Sequence, residues 1–440
     1  METIMFNFPP ERVRPFQKWT AILLCAISTA ALAGNESNSF NLKQLIEQAQ
    51  RDNKDLQAAR YAVDIGRARL LQAGMRPNPR LDLSVRSDFA FKNQGEYGNA
   101  VAISQSFPIA GRILRQKDVA RVDIALAEAE VADAERRLAG EVAADVYRLL
   151  VVDRQIASRT ALIEIQTKLA NTARERFKAA EVSELDVNTV QLDQQRLVQE
   201  RALLQSQRET LLVSLNTRLG RPAIAPLVID EPVPTLHALA SLTQLQNKAL
   251  DRRPDLRSAL LSADRAQAQK ALAKALRWED WSVGLELSQD KQAIDGAPPQ
   301  SSDRAIGLSV SIPLPLFNKS QGLLAEADAA RDQAQARTEA LRLGIASEVA
   351  GTHAEATRLQ AALAQYDKSM LPVSQSNVRL AQQGYRQGLV PVFEVVLAQR
   401  QQADLNAAYL ATLDQFLQTL VRLHTAVGDY VTATGLEPNK

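Results

Sequence analysis

The sequence repeats itself once along most of its length, and this duplication restricts the possible folds more than any other feature. A twelve-residue segment, RFKAAEVSELDV (176–187), returns as GYRQGLVPVFEV (384–395). Shorter matches keep the same order, with KDL at 54 and PDL at 254, SQSFP at 104 and SVSIP at 309, and EVA at 141 and 348. We therefore predict two copies of one unit of about 200 residues.

Each copy begins with a helical pattern that gives way to a pattern of period two. In the first copy, residues 40–76 are predicted to be helical up to the RPNP cluster that follows. Alternating apolar and polar residues then predict strands at about 81–91 and 99–107, and at about 281–288 and 305–312 in the second copy. Strands of about 9–11 residues are long enough to cross a bilayer in a tilted barrel, whereas half-buried hairpins packed on helices are the alternative.

Long helices follow the strands in both copies. The first is expected over 111–178 and its counterpart over 320–387, with return helices at 187–219 and 392–427. Apolar residues at seven-residue intervals predict a coiled-coil seam, formed by Val142, Leu149, Ile156, Ile163, Ala170 and Phe177 in the first copy and by Val349, Ala356, Leu363 and Met370 in the second. Stacked end to end, the two short helices of a copy have about the same length as its long helix, so the helices are expected to form rods of equal length. The strands are then expected at one end of these rods and the tips, 176–187 and 384–395, at the other.

The chain divides into five segments on this interpretation. Residues 1–33 have the basic start, apolar stretch and Ala31-Leu32-Ala33 ending of a signal peptide, and we do not expect lipid attachment at Cys25, because bulky residues precede it. The first repeat would occupy 34–219, a Pro-rich linker 220–237, the second repeat 238–430 and a C-terminal tail 431–440.

The residues give no support to catalysis or to a bound cofactor. His237, His353 and His424 are far apart and form no metal-binding motif, and the sequence has no nucleotide-binding or nucleophile-elbow motif. The net charge of +2 is spread along the chain, so no surface for nucleic acid is expected. We predict a protein that is not an enzyme, with no metal or cofactor site.

Two acidic residues beside the tips admit two interpretations. Asp186 and Glu394 stand at equivalent positions just past each turn. In a rotational oligomer they would form a ring of carboxylates that attracts cations at the end of a tube. They could equally be ordinary acids in a first helical turn, where they favour the helix dipole. An oligomer is expected in any case if the strands span a membrane, because four strands cannot close a barrel alone.

The chain resembles the TolC family of outer-membrane efflux ducts over residues 40–430, and most resembles its heavy-metal subgroup of the CzcC type. The resemblance rests on the duplicated architecture, the strand–Pro junctions FPI (107–109) and IPL (312–314), the RPDL box (253–256) and the paired tips. It implies a mainly α fold with a membrane β-barrel portion, built as a homotrimer. Twelve strands would form the barrel in outer-membrane lipid, and an α-helical coiled-coil barrel would continue it through the periplasm.

The resemblance also implies partners and a gate. The duct would dock on a periplasmic adaptor and, through it, on an inner-membrane pump of the resistance–nodulation–division (RND) type. The tip boxes would form the periplasmic entrance, which points to Phe177, Asp186, Tyr385, Gly388 and Glu394. The sequence departs from the family at Ala180, where a glycine is common, and at Leu397, where some members have a second acid.

The expected function is passive conduction of substrates, divalent heavy-metal cations in particular, from the adaptor and pump to the exterior. A drug or type I secretion duct of the same fold is one alternative. A soluble periplasmic coiled-coil scaffold without a barrel is another.

Overall fold

The structure is a computed structural model of the 440-residue chain, and it describes residues 39–90, 95–234, 238–293, 296–298 and 300–429. The predicted signal peptide 1–33, with Cys25, lies outside the described residues, as do His237 and the tail 431–440.

Helices dominate both copies, and each copy contributes two long strands. The elements of the first copy are β1 (Ser39–Phe40), α1 (Leu42–Asp52), α2 (Lys54–Ala73), β2 (Arg80–Ser87), β3 (Tyr97–Phe107), α3 (Arg112–Lys178), α4 (Glu184–Arg218) and β4 (Val228–Ile229). Those of the second copy are α5 (Leu242–Arg252), α6 (Pro254–Leu276), β5 (Trp281–Lys291), β6 (Asp303–Ser311), α7 (Gln321–Gln365), a π-helical turn (Tyr366–Met370), α8 (Leu371–Arg386) and α9 (Val392–Val427).

The predicted helix over 40–76 is wrong in one respect, because it is divided at Asn53. The backbone of Asn53 is extended, with φ −60° and ψ 128°, and its side chain accepts a hydrogen bond from the Leu56 amide, which begins α2. Asparagine competes with helical hydrogen bonding in this way and is favoured as an N-cap. Arg253 divides the second copy at the equivalent place, before Pro254, since proline disfavours helical backbone in the residue before it.

The four long strands form one antiparallel sheet in the order β2-β3-β5-β6, so that strands of the two copies pair directly. Leu81 pairs with Ile103, Ile103 with Leu285, and Leu285 with Leu308, and residues in register share a face. One face therefore carries a band of exposed apolar residues, formed by Leu81, Leu83, Val85, Val101, Ile103, Phe107, Trp281, Val283, Leu285, Leu287, Ile306, Leu308 and Val310. The polar residues of this face, such as Asn99, Gln289 and Arg304, lie mainly at the end of the sheet away from the helices. The opposite face has small or polar residues.

All four strands differ somewhat from their predicted bounds: β3 begins two residues before its predicted start at 99, and β6 covers Asp303–Ser311 instead of 305–312. Strand β2 ends at Ser87, four residues before the predicted end, and β5 extends to Lys291 instead of ending at 288.

The rods consist of one long helix beside two shorter helices stacked end to end. Helix α3 has 67 residues and is about 100 Å long. The C-terminus of α4 meets the start of α2, where the Asn53 side-chain amide donates to Arg218 O over 2.9 Å. Gly220 has φ +67°, and a Cβ there would lie 2.3 Å from Asp52 O, so only glycine fits this junction.

The second copy stacks α9 on α6 through a different side chain. The Arg253 guanidinium donates to Ala426 O, at the end of α9, and to Glu348 of α7 at 2.6 Å. Desolvation alone would lower the pKa of this buried group, but its hydrogen bonds to Asp255 and Glu348 raise it. Arg253 thus remains charged and caps the carbonyls that α9 leaves open.

The second long helix contains a π turn that its counterpart α3 lacks. Val349, Ala356 and Leu363 are buried at seven-residue intervals, as predicted, but Met370 is exposed and the next buried positions are Val378 and Tyr385. The interval from Leu363 to Val378 is one residue longer than two heptads. The Leu371 amide bonds to Tyr366 O, five residues earlier, so the π turn absorbs that residue and the seam resumes.

The predicted linker packs against the helices where it is described. The Asn216 side chain donates to Ala223 O and Ala225 O, and the Asp230 amide donates to Phe40 O. The buried Glu231 accepts a hydrogen bond of 2.8 Å from the Leu42 amide at the start of α1. These contacts place the linker beside α1, about midway along the rods.

The helices lie side by side in one layer with two unlike edges. In the tip half the order is α4, α3, α9 and α8, and in the strand half it is α2, α3, α6 and α7. The main apolar core lies around α1, α3 and α9, where Val142, Val146 and Leu417 are fully buried. Both edges expose apolar side chains, among them Leu185, Leu192 and Leu203 on α4 and Val373 and Leu380 on α8. Within the described residues, no helix has the length and hydropathy needed to span a bilayer.

Candidate functional site at the helical tips

The turn between α3 and α4 is a Schellman motif that ends the long helix. The Glu181 amide donates to Arg176 O over 2.8 Å and the Ala180 amide to Phe177 O over 2.9 Å. The motif requires a left-handed residue, and Ala180 takes this role with φ +60°. An alanine in this conformation is strained by its Cβ.

The turn between α8 and α9 repeats the same motif with glycine. The Leu389 amide donates to Gly384 O over 2.8 Å, and Gly388, with φ +73°, donates to Tyr385 O over 3.1 Å. The predicted residue Gly388 therefore has a conformational role. The two tips have the same backbone geometry, but only the first tip places a residue with a Cβ, Ala180, in the left-handed conformation.

The two acids beside the tips have different surroundings. Asp186 forms a capping box with Ser183: its carboxylate accepts from the Ser183 amide and hydroxyl, and the Ser183 hydroxyl accepts from the Asp186 amide. Glu394 is exposed in the first turn of α9, and its carboxylate has no hydrogen bond or ion pair with any described residue. Asp186 thus caps a helix, whereas the Glu394 carboxylate is available to solutes.

Tyr385 joins the second tip to the first. Its ring is buried, with the Arg176 guanidinium 4.5 Å above the ring centroid, and the same guanidinium donates to Tyr385 O over 3.4 Å. The ring packs in a small apolar cluster with residues of α3, α4 and α9, namely Ala170, Val190, Val392, Val395 and Val396. Its hydroxyl is buried without a hydrogen-bond partner among the described residues.

Phe177 behaves differently from its counterpart Tyr385. It has 45% of its surface exposed, whereas Tyr385 has 6%. The structure therefore brings Tyr385 into contact with the first tip, but leaves Phe177 on the surface of the single chain.

A buried polar cluster near the tips was missed in the sequence. Asp193 accepts hydrogen bonds from Gln166 Nε2 at 2.5 Å and from Arg400 Nε at 2.6 Å, so it connects α3, α4 and α9. The Oε1 atoms of Gln166 and Gln399 lie buried nearby without a partner among the described residues. A signal was present, because Gln166 falls three residues after the seam residue Ile163, where an apolar side chain is expected.

The chemistry available at the tips is electrostatic. Over the described ranges, no three His, Cys, Asp or Glu side chains are grouped so that they could hold a metal ion. Exposed carboxylates beside a turn can attract cations, and a cationic side chain stacked on an aromatic ring can hold two helices together.

The chain matches a family of outer-membrane transport proteins. The family model described as outer membrane efflux protein matches residues 45–221 and 245–429, one match for each copy. A curated relative, the cobalt-zinc-cadmium resistance protein CzcC of Cupriavidus metallidurans, is 23% identical over 395 residues, which cover 88% of this chain and 90% of the relative.

Solved structures show the same fold. CusC is 18% identical with a TM-score of 0.71, covering 88% of this chain and 92% of that chain. VceC from Vibrio cholerae is 19% identical with a TM-score of 0.67, and the match covers 88% of this chain and 96% of VceC. The open state of MtrE from Neisseria gonorrhoeae is 18% identical with a TM-score of 0.69, and the match covers 88% of this chain and 89% of MtrE.

These matches confirm the predicted family and the mainly α fold of TolC-like channels. The predicted absence of catalysis is also confirmed, since the family consists of efflux channels, which are not enzymes. With both copies matched in order, the chain belongs to the outer membrane efflux protein family.

Proposed function

We propose that this chain is the outer-membrane duct of a tripartite efflux system and that it conducts its substrates passively. The observation that carries the proposal is the four-stranded sheet, which has one exposed apolar face and two open edges. A large exposed apolar surface marks a protein or membrane contact. Export by the signal peptide 1–33 would deliver the chain to the outer membrane.

The sheet fits the wall of a membrane barrel. The apolar residues of this face would contact lipid, while the opposite face, with Ser84, Ala102, Gly284, Glu286 and Ser309, would line a polar lumen. Four strands per chain require several chains for closure. Three chains, as the family resemblance implies, give twelve strands.

The unlike edges of the helical layer fit the same assembly. One edge is formed by β2, α2 and α4, and the other by β6, α7 and α8. Contacts between unlike edges are head to tail, and they close into a ring when the rotation allows it. Within one chain, copy two buries Tyr385 against copy one; in the ring, the neighbouring chain would cover Phe177 in the equivalent place.

The tips would form the periplasmic entrance and meet the adaptor, which links the duct to an inner-membrane RND pump. In a trimer, Glu394 would supply three free carboxylates around the entrance. Arg176 and Tyr385 would hold the two hairpins of one chain together in the closed state.

We propose divalent heavy-metal cations as the substrate, because the curated relative CzcC is named for cobalt, zinc and cadmium resistance. A drug or type I secretion duct shares the architecture and differs in its partners. A soluble coiled-coil scaffold is disfavoured by the exposed apolar face of the sheet.

The lipid contact can be tested with a matched pair of variants. Leu285→Arg places a charge on the apolar face and should cost about 2–4 kcal/mol per chain near the bilayer midplane. Ser288→Arg, on the polar face of the same strand, should leave the yield of detergent-extracted trimer close to normal. Equal yields from both variants, or release of the native protein by carbonate without detergent, would contradict the proposed barrel.

The substrate needs a separate experiment. Deletion of the gene, followed by growth on cobalt, zinc, cadmium, nickel, copper, silver, dyes and detergents, should show sensitivity to the metals. Sensitivity to dyes and detergents alone would favour the drug duct instead.

The effect of the entrance on cation selectivity can be tested at Glu394, because this residue, unlike Asp186, does not cap a helix. Glu394→Gln should reduce the cation selectivity of single channels in planar bilayers, because it removes the free carboxylate and keeps the size of the side chain. Asp186→Asn is the control, since its box with Ser183 directs the carboxylate to the backbone. A selectivity change confined to Asp186→Asn would overturn this assignment.

A further inference from the structure

The junctions between helices and strands carry an unusual combination of residues. Four segments, 74–80, 108–115, 277–281 and 312–319, cover the connections between the helices and the helix-proximal end of the sheet, together with the first residues of β2 and β5 and the first turn of α3. We refer to these four segments as the collar. In a membrane-embedded duct they would lie where the helices meet the bilayer.

The collar exposes large aromatic and aliphatic side chains. Trp281 begins β5 on the apolar face, in register with Phe107. Trp278, three residues earlier, and Phe317, which has 91% of its surface exposed, add exposed aromatic rings in the connections next to the strands. Tryptophan is suited to the boundary between lipid and water, because it combines a large apolar ring with a polar N–H group.

A hydrogen bond places one of the connecting segments beside the same face. The side chain of Gln105 lies on the apolar face, opposite Val283, and its Nε2 donates to Pro77 O over 2.9 Å. Arg76, which precedes Pro77, is therefore at the base of the lipid-facing surface.

The collar is cationic, whereas the other end of the sheet is not. Its four segments contain six Arg and Lys residues against two acidic ones, namely Arg76, Arg80, Arg112, Arg115, Arg277 and Lys319 against Glu279 and Asp280. The segments at the opposite end, 88–97 and 289–304, contain three Lys and Arg residues against five acidic ones. The charge thus changes sign from one boundary of the apolar band to the other.

Three of the collar cations are free to bind an external partner. Arg80, Arg112 and Arg115 form ion pairs with carboxylates of the same chain. Arg76, Arg277 and Lys319 are exposed and have no carboxylate partner among the described residues, and Arg277 lies 5.8 Å from the ring centroid of Trp278. Glu279 is the one exposed collar acid without a partner in the described part of the chain, so the free charge remains positive.

We propose that the collar binds the headgroups of anionic phospholipids in the leaflet that faces the helices. Cations beside a lipid-facing apolar surface attract anionic headgroups, and the tryptophans hold the chain at that depth. The inference rests on the proposed membrane placement of the sheet and adds a lipid preference to it. It also orients the chain, because the cationic end selects one boundary of the bilayer.

The tryptophans provide the measurement. The chain has three, and Trp19 lies in the leader that we expect to be removed, so mature protein, verified by its N-terminal mass, would report only from Trp278 and Trp281. The protein is reconstituted in two kinds of vesicle, one with brominated phosphatidylglycerol and one with brominated phosphatidylcholine. Each brominated lipid should quench the tryptophan fluorescence. We expect phosphatidylglycerol to be preferred about fivefold at low salt and much less at 1 M salt.

Charge variants distinguish the collar from a general effect of net charge. Arg277→Gln combined with Lys319→Gln should reduce the preference to near unity and leave quenching by phosphatidylcholine unchanged. The matched control combines Lys168→Gln with Arg379→Gln, two exposed cations on helices away from the sheet, and should keep the preference.

The outcomes separate the two proposals. Equal quenching by the two lipids in the native protein would overturn the anionic-lipid site and leave the membrane placement intact. Absence of quenching by either lipid would overturn the membrane placement, and the collar with it. Because the comparison between lipids and salt concentrations uses the native chain, the test does not depend on the folding of a variant.

Discussion

Asp193 Oδ1 lies 2.6 Å from Arg400 Nε, so one ion pair joins the return helices of the two copies near the tips. The Asp193 side chain is only 3% exposed, and Gln166 donates to its second carboxylate oxygen. A buried carboxylate that is fully paired holds helices in one register, and the loss of one partner leaves the other groups unsatisfied.

Replacing Asp193 should loosen the contact between the copies. We expect Asp193→Ala to lower the opening free energy of α9 amides near Arg400 by about 2 kcal/mol, measured by hydrogen exchange. The control is Asp153→Ala, which removes a half-exposed pair with Arg208 of the same 2.6 Å length and should cost less than about 1 kcal/mol. Similar losses in both variants would mean that burial does not set the strength of this pair.

The strain at Ala180 predicts that the first tip can be stabilised. Ala180→Gly should raise the opening free energy of the Glu181 amide by about 0.5–1 kcal/mol, because glycine adopts a positive φ without steric cost. The reciprocal variant Gly388→Ala should lower that of the Leu389 amide by about 1 kcal/mol. Hydrogen exchange at the two amides measures both changes, and loss of protection in Ala180→Gly would refute the strain.

Once Pro372 is replaced, the π turn should tolerate a one-residue deletion that α3 does not. Removing Ser369 restores the heptad interval, but it leaves Pro372 inside a regular α-helix, where proline costs about 3 kcal/mol. The deletion combined with Pro372→Ala should therefore keep the thermal midpoint of the native protein, while the deletion alone lowers it. Deletion of the exposed Glu164 in α3 is the comparison and should be severely destabilising, because it shifts the seam.

Acidification should destabilise the middle of the rods through His424. Burial lowers the pKa of this histidine below its ordinary 6.5, Asp429 opposes the shift and Lys248 adds to it. His424 therefore takes up a proton more readily in the unfolded chain than in the folded one, and stability falls as the pH drops below about 6.5. His424→Gln should flatten the pH dependence of the unfolding midpoint between about pH 7.5 and 5, and an unchanged slope would exclude His424 as its source.

Much of the fold could be predicted because the two copies confirm each other. A strand pattern or a tip turn that occurs twice in the same order is hard to mistake, and the sheet, the tips and the long helix α3 occur in the predicted order. The division at Asn53 was missed because a helix interrupted by one extended residue keeps its apolar pattern on both sides.

The sequence contains a signal of the π turn. The copies are offset by 207 residues at Glu141 and Glu348 but by 208 at the tips, so one residue is gained inside a helix. At the candidate site, the residue types at the tips were predictable from the repeat. The distinction between Asp186, which caps a helix, and Glu394, which is free, depends on side-chain geometry. The contact between Arg176 and Tyr385 depends on how the hairpins pack, and a linear pattern does not contain that information.

The unlike edges of the helical layer have a genetic consequence. A chain with a substitution that disables one edge can still bind a neighbour through its other edge. The ring that it joins then stays open. If three chains form the ring, a cell that makes normal and altered chains in equal amounts would assemble only about one complete trimer in eight from normal chains alone. Edge substitutions such as those at Leu192 or Leu380 are therefore expected to be dominant, whereas loss of the whole gene copy would be recessive.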